Sequence, residues 1–251
     1  AFEEGRFKPE DTLIDEVKSY PSGGGKMYAP KNYAGKYHGE VTISTALVKS
    51  LNTVAVQVLA AVDIDAVIAL LSKATGVPEE NFPRNLTLAL GTAGLTPLEM
   101  AAGYAMLLNG GRPVRPFLIS RVEDREGQAL PGFALQPPLE PALKSATCKT
   151  VVMILKEVFS PGGTAHSAAA AAGFRIPAAG KTGTTDDFRD AWFAGMTPDF
   201  AAVLRIGHDD MRVSLGAGRS GGSAAAPAWI NFVKDAYRHR PMREFDFAGS
   251  E

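Results

Sequence analysis

The chain of 251 residues is 45% hydrophobic, ample for a buried core, and its 26 Lys plus Arg against 27 Asp plus Glu leave no basic footprint for nucleic acid. A single cysteine, Cys148, excludes an internal disulfide and a cysteine-based zinc cluster. The apolar runs at 54–62 and 168–172 are too short to span a bilayer, and the first residues lack the basic start and apolar stretch of a signal peptide.

In chain order, "AFEEG" reads as the tail of a helix stopped by Gly5, so the chain is expected to be cut from something longer. Residues 6–40 show neither helical nor strand periodicity and are predicted to be an ordered loop, anchored by burial of Tyr20, Tyr28, Tyr33 and Tyr37. "GGGK" within it is no phosphate loop, because Met27 stands where Ser or Thr is required. From Thr42 the period becomes helical, with Ile43, Ala46, Leu47, Leu51, Val54, Ala55, Val58 and Leu59 at three- and four-residue steps. Ser50 and Asn52 interrupt that face on either side of Leu51. A second helix is predicted over 64–74, capped by Asp63 and stopped by Gly76. In "LTPLEMAAGYAMLLNGG", Thr96 and Glu99 form a capping box, Pro97 takes the first helical position and Gly110 ends the helix. Short strands around 116–123, a turn at Arg125-Glu126-Gly127 and a helix over 139–159 follow. Cys148 is expected to pack there as a small apolar residue.

The last third changes period. "PAAGKTGTT", "AWFAGMTPDF" and "AAVLRIGHDD" are short apolar or alternating runs separated by turn residues, which predicts an antiparallel meander. A helix over 225–238 follows, and its Ile230, Phe232, Val233 and Tyr237 can cover that sheet. Helices, then a meander, then a covering helix define an α+β fold, an antiparallel sheet flanked by helices. The parts are the loop at 6–40, a mainly helical part at 41–175 and the sheet with its covering helix at 176–240.

Two short stretches carry candidate chemistry. Ser50-Leu51-Asn52 is a Ser-x-Asn, which chance supplies about once in a chain this long and which otherwise reads as helix capping or breaking. Lys181-Thr182-Gly183-Thr184-Thr185 opens a predicted strand and places a cation and hydroxyls along it. His38, His166, His208 and His239 share no metal-ligand spacing, so no metal site is expected. "PGGTAHSAAAAAG" reads as a mobile loop next to the strand, with Thr164 structural. Trp192 is expected to pack, and Asp190 to have no catalytic role.

Together the two motifs resemble those of the penicilloyl-serine transferases, the penicillin-binding proteins and serine β-lactamases. The flanks "VTISTALVKSLNTVAVQV", "LGTAGLTPLEMAAGYAMLLNGG", "GKTGTTDDFRDAWFAGMTPDF" and "AAAPAWINFV" are similar to the transpeptidase domain of class A penicillin-binding proteins, in family order up to Val233. The resemblance implies a β-lactamase-like transpeptidase fold, N-terminally incomplete over 1–251. It implies no cofactor, and a D-Ala-D-Ala transpeptidase that cross-links stem peptides through a serine acyl-enzyme and is acylated by β-lactams. Ser50 would relay protons, Asn52 would orient the substrate amide and the active-site lysine, and Lys181 would attract the substrate carboxylate. Thr182 and Thr184 would bind that carboxylate, and Gly183 would keep the strand edge open for ligand pairing. The family partners are a peptidoglycan stem peptide, β-lactam antibiotics and the missing N-terminal part of the same domain. Its location is the periplasmic or extracytoplasmic face of the inner membrane.

One departure stands out: no Ser-x-x-Lys occurs anywhere in the sequence. In the family that motif precedes Ser-x-Asn on a helix whose tail leads into sequence like "AFEEGRF", so nucleophile and base are expected before Ala1 and the chain as given is expected to be inactive. A β-lactam or peptidoglycan sensor that binds without turnover fits the same residues. A serine β-lactamase fits less well, because neither Glu79 nor Glu80 stands four positions before an asparagine as the class A hydrolytic loop requires.

Overall fold

Two capped helices show how local sequence becomes structure in this chain. In the computed structural model, which describes residues 1–130 and 137–247, α4 (Pro97–Leu108) starts at Thr96, whose hydroxyl accepts from Glu99 N–H while the Glu99 carboxylate accepts from Thr96 N–H. Likewise α3 (Ile64–Thr75) starts at Asp63, which accepts from Asp65 N–H, and ends at Gly76 in the left-handed conformation. Both boundaries fall where the sequence puts them. Residues 131–136 and 248–251 of the 1–251 span lie outside the described residues.

The segment read as loop is more structured than its composition implies. β1 (Thr12–Asp15) pairs antiparallel with β4 (Gly39–Thr42), and β2 (Tyr20–Pro21) with β3 (Met27–Tyr28). Tyr33 and Tyr37 are exposed, so burial of four tyrosines is not what anchors it. Polar contacts do, with Asp15 and Asn32 among the few buried polar residues described. α1 (Ile43–Lys49) follows directly, capped by Thr42, and α2 (Asn52–Ala60) succeeds it after a two-residue break.

The expected strands at 116–123 do not form. One bridge, Glu123 to Ala129, closes the turn at Arg125-Glu126-Gly127, and Phe117, Leu118 and Ile119 stay exposed. The helix expected over 139–159 narrows to α5 (Ser145–Lys156) plus a 3-10 turn at Glu157–Phe159. Cys148 is fully buried on α5, where burial foremost, and then the nearby Glu3 carboxylate, push its thiol up to about 11. The alanine run read as mobile loop is a short helix, α6 (His166–Ala171). Alanine favours that outcome because it loses no side-chain entropy in a helix.

The meander is present as β5 (Ala179–Thr184), β6 (Asp190–Met196) and β7 (Ala201–Gly207), antiparallel, with β6 in the middle and β5 at one edge. A π-helical turn at Gly221–Ala225 leads into α7 (Ala226–Ala236), which packs on β6 and β7, while α5 packs on β5 and α4 on β6 and β7. Trp229 at the centre of α7 lies 5.0 Å from the Phe193 ring and donates its indole N–H to Ala202 O at 2.9 Å. Gly195 must lack a side chain there, since a Cβ would stand 2.5 Å from the Trp229 ring. Trp229, Ile230, Val233 and Tyr237 are buried; Phe232, expected among them, is half-exposed. A separate apolar cluster of Leu59, Ile68, Val77, Phe82 and Leu88 holds the α2–α3 lobe together. No single helix among the described residues is long and apolar enough to cross a membrane.

Candidate active site

Ser50 sits where two helices break. Its N–H bonds to Leu47 O, and the Leu51 N–H bonds to Ala46 O, the paired pattern that closes a helix with a left-handed residue at the position glycine usually takes. Here the residue is serine, at φ 58° and ψ 48°. Leu51 then buries with Ala46 and Val54, the apolar contact that accompanies such an ending. The tripeptide thus ends α1, plugs the core with its middle residue and starts α2 at Asn52. The left-handed turn leaves the Ser50 hydroxyl free of its own helix.

That hydroxyl meets Lys181 across 131 residues of sequence. Lys181 Nζ donates to Ser50 Oγ at 2.6 Å and to Thr182 O at 3.1 Å. Lys181 keeps intermediate exposure as a residue, but its amino group is enclosed, and burial pulls it down to about 8 from the usual lysine value. A lysine in this state is a compact cation that readily gives up or regains a proton near neutrality.

The other candidate residues are placed differently. Asn52 donates from Nδ2 to Lys31 O at 2.8 Å, so its amide is held by the loop. In the strand pairing Lys181 lies opposite Ala194, Thr182 opposite Phe193, Gly183 opposite Trp192 and Thr184 opposite Ala191. Strand alternation therefore puts Lys181 and Gly183 on one face of β5, and Thr182 and Thr184 on the other. Thr182 Oγ1 donates to Thr164 Oγ1 at 2.8 Å, and Thr184 Oγ1 accepts from Gly221 N–H at 3.0 Å. Gly183 lies tight against its neighbours: a Cβ there would stand 3.2 Å from Trp192 Cβ. A Cβ on Gly221 would stand 2.5 Å from Gly183 O. Gly221 is invisible from the sequence, since nothing marks a glycine 38 positions downstream as a neighbour of the strand; Thr164 reads there only as a structural residue of the loop beside it.

Asp190, opposite Gly207 at the start of β6, is 2% exposed and pairs through Oδ1 with Arg205 Nη2 at 2.5 Å. Its N–H donates to Thr185 Oγ1 at 2.7 Å and its carbonyl accepts from Thr185 N–H, which ties down the chain just beyond Thr184. Trp192 is partly buried and stands opposite Gly183 and Arg205. Among the described residues no group of three or more His, Cys, Asp and Glu side chains is arranged to hold a metal ion. The arrangement offers a hydroxyl held by a low-affinity cation, beside the exposed backbone edge of a strand.

Comparison with known proteins bears on this arrangement. The family described as "Penicillin binding protein transpeptidase domain" matches residues 1–231. The chain is 37% identical over 227 residues to penicillin-binding protein 1A of Aquifex aeolicus, covering 90% of this chain and 30% of that protein. It is 34% identical over 237 residues to penicillin-binding protein 1A of Neisseria lactamica, covering 92% and 29%. Among solved structures, penicillin-binding protein 1A from Haemophilus influenzae superposes with a TM-score of 0.83 at 26% identity, over 95% of this chain and 40% of that one. PonA1 from Mycobacterium tuberculosis in complex with penicillin V gives 0.79 at 22% identity over 97% and 67%, a likeness of fold. The chain thus spans about three-tenths of the length of the curated relatives it matches.

Proposed function

The chain belongs to the penicillin-binding protein transpeptidase family, and on that footing we propose that it serves in a domain that cross-links peptidoglycan stem peptides through a serine acyl-enzyme. The observation that carries this reading is the Lys181 Nζ to Ser50 Oγ hydrogen bond, 2.6 Å long and joining two motifs that are far apart in sequence. A serine outside these 251 residues attacks the carbonyl carbon between two D-alanines; the new C–O bond replaces the C–N bond, and the terminal D-alanine leaves as an amine. The proton that the attacking serine gives up reaches this nitrogen through Ser50, which Lys181 holds by a hydrogen bond. An amine of a neighbouring strand then attacks the ester, an amide forms, and the serine oxygen regains its proton.

The remaining roles follow from chemistry and position. Lys181 draws the substrate's terminal carboxylate by charge. The Thr182 and Thr184 hydroxyls bind that carboxylate, the Thr184 N–H stabilises the oxyanion, and the unpaired edge of β5 accepts the peptide as an added strand, with Gly183 keeping the approach open. Asn52 orients the substrate amide. β-Lactams enter as acylating mimics of the peptide. We place the full-length protein at the extracytoplasmic face of the inner membrane, held there by an anchor in its other parts. A second reading, binding without turnover, is favoured by the one fact that no Ser-x-x-Lys occurs in the sequence.

Intact-mass measurement on this chain and on the full-length protein, each incubated with penicillin, separates these readings. One equivalent of adduct on the full-length protein alone, mapped outside these 251 residues, is expected. A folded full-length protein without adduct would overturn the transpeptidase reading in favour of binding alone. An adduct on the chain itself would relocate the nucleophile into it.

A further inference from the structure

Behind the Ser50–Asn52 break lies a buried carboxylate that nothing above uses. Asp15, the last residue of β1, is 1% exposed, yet both oxygens are occupied. Oδ1 accepts from Asn32 Nδ2 at 2.6 Å and from the Thr53 hydroxyl in a short hydrogen bond. Oδ2 accepts from the His38 N–H and from His38 Nδ1, each at 2.9 Å. Burial opposes the charge, but the bonds from Thr53, His38 and Asn32 outweigh it and hold the carboxyl below the usual aspartate range. Three separate pieces of chain converge on one side chain.

Two of those pieces reach the candidate site. α2 starts after Leu51, an apolar residue whose side chain caps nothing. The Thr53 N–H, an unpaired donor of the first turn, is instead taken by Asn32 Oδ1 at 3.2 Å, so the cap comes from 21 residues upstream. Asn32 can serve because its own amide is fixed, donating to Asp15 and to Lys36 O at 3.0 Å. Its neighbour Lys31 presents the carbonyl that holds Asn52 Nδ2. Gln57, one turn further along α2, donates to Ile14 O at 2.8 Å. The first turn of α2, and with it Asn52, is therefore located by the β1–β4 ribbon and its loop, not by its own sequence.

We propose that Asp15, acting through Asn32 and Thr53, is a positioning residue that sets the Ser50-Leu51-Asn52 break against Lys181. The proposal rests on the transpeptidase reading for its kinetic consequence, but not for its geometric one. A buried carboxylate with four donors from three residues is tightly constrained, and a shift leaves its charge without a donor. Such a hub gives the break a single register. Losing one donor should let α2 move, and a misplacement of about 1 Å in catalytic geometry can cost roughly a hundredfold in rate.

Three variants of the full-length protein test this. Thr53→Val removes one donor while preserving shape, Thr53→Ser keeps the hydroxyl, and Thr96→Ala removes the cap of α4, away from the break. With Thr53→Val, the second-order rate of penicillin acylation should fall roughly tenfold to a hundredfold. Thr53→Ser should restore it, and Thr96→Ala should lower thermal stability without changing the rate. A second readout needs no acylation: labelling of the Lys181 amine by acetic anhydride, read by mass spectrometry against the other lysines, should accelerate in Thr53→Val only. Should Thr53→Val not fold, Asn32→Ala takes its place in both measurements. A folded Thr53→Val protein with wild-type acylation and wild-type Lys181 labelling would overturn the proposal. If the wild-type protein takes no penicillin, the transpeptidase reading falls, and the Lys181 labelling alone decides this one: faster labelling sustains it, unchanged labelling overturns it.

Discussion

Ser50 occupies a backbone position that suits glycine better than any L-residue, and its hydroxyl is the only part of it that the Lys181 contact uses. The two contributions can be separated by substitution. Ser50→Gly removes the hydroxyl and relieves the left-handed backbone, whereas Ser50→Ala removes the hydroxyl and keeps the strain. Ser50→Gly should therefore be the more stable of the two by about 1 kcal/mol in urea unfolding, and both should lose acylation. Equal stabilities would mean that the backbone there carries no strain. Lys181 makes a second test at this scale. Its amine is pulled down to about 8 by burial, while the unfolded chain binds that proton up to the ordinary lysine range. Between these two values the unfolded state holds more protons, so stability should rise as pH increases from about 8 toward 10.5. Lys181→Met, which has no proton to lose, should flatten that rise; an unchanged slope would remove Lys181 as its source.

Elements with local signals were legible in the sequence, and those made by distant pairing were not. Thr96 with Glu99, and Asp63 with Gly76, announce α4 and α3 because a cap and its helix lie within a few residues of each other. The meander was legible from its alternation. Residues 12–15 and 39–42 were not, because each strand is only four residues long and the two are joined only by a bond pattern spanning 24 or more residues. Family likeness put Ser50 and Lys181 in one site, which their spacing could not, while the Asp15 hub gave no signal at all: one aspartate in a polar stretch looks like a solvated turn. Conversely, 116–123 has strand composition but no partner strand among the described residues, and composition cannot supply one. Within the sheet, Gly207 is fixed by its neighbours, since a Cβ there would land on Asp190 Oδ1 and close to Arg205 Nη2. Gly207→Ala should break that ion pair, strand a buried carboxylate and cost about 3 kcal/mol in thermal unfolding. No change in the midpoint would mean that the pair can rotate away and that the end of β5 does not depend on it.

At the scale of the whole molecule one residue joins the layers. Trp229 is 1% exposed and contacts the rings of Phe193 from β6, Phe159 after α5 and Phe174 after α6. Trp229→Ala should cost about 3–5 kcal/mol and loosen the Thr164–Thr182 contact along with the core, because Phe159 and Phe174 bracket that segment. A calorimetric loss below about 1 kcal/mol would show that the cavity collapses at little cost. The position of β5 at the sheet edge has a consequence of a different kind. An edge strand that receives a peptide, as proposed for β5, is equally open to the same strand of another copy, and covering it would close the proposed site. Lys181 works against that hazard: two copies pairing edge to edge near this residue would bring two ammonium groups together, which like-charge repulsion disfavours. On the proposed reading, the cation that draws in a carboxylate thus also keeps one molecule from mistaking another for its substrate.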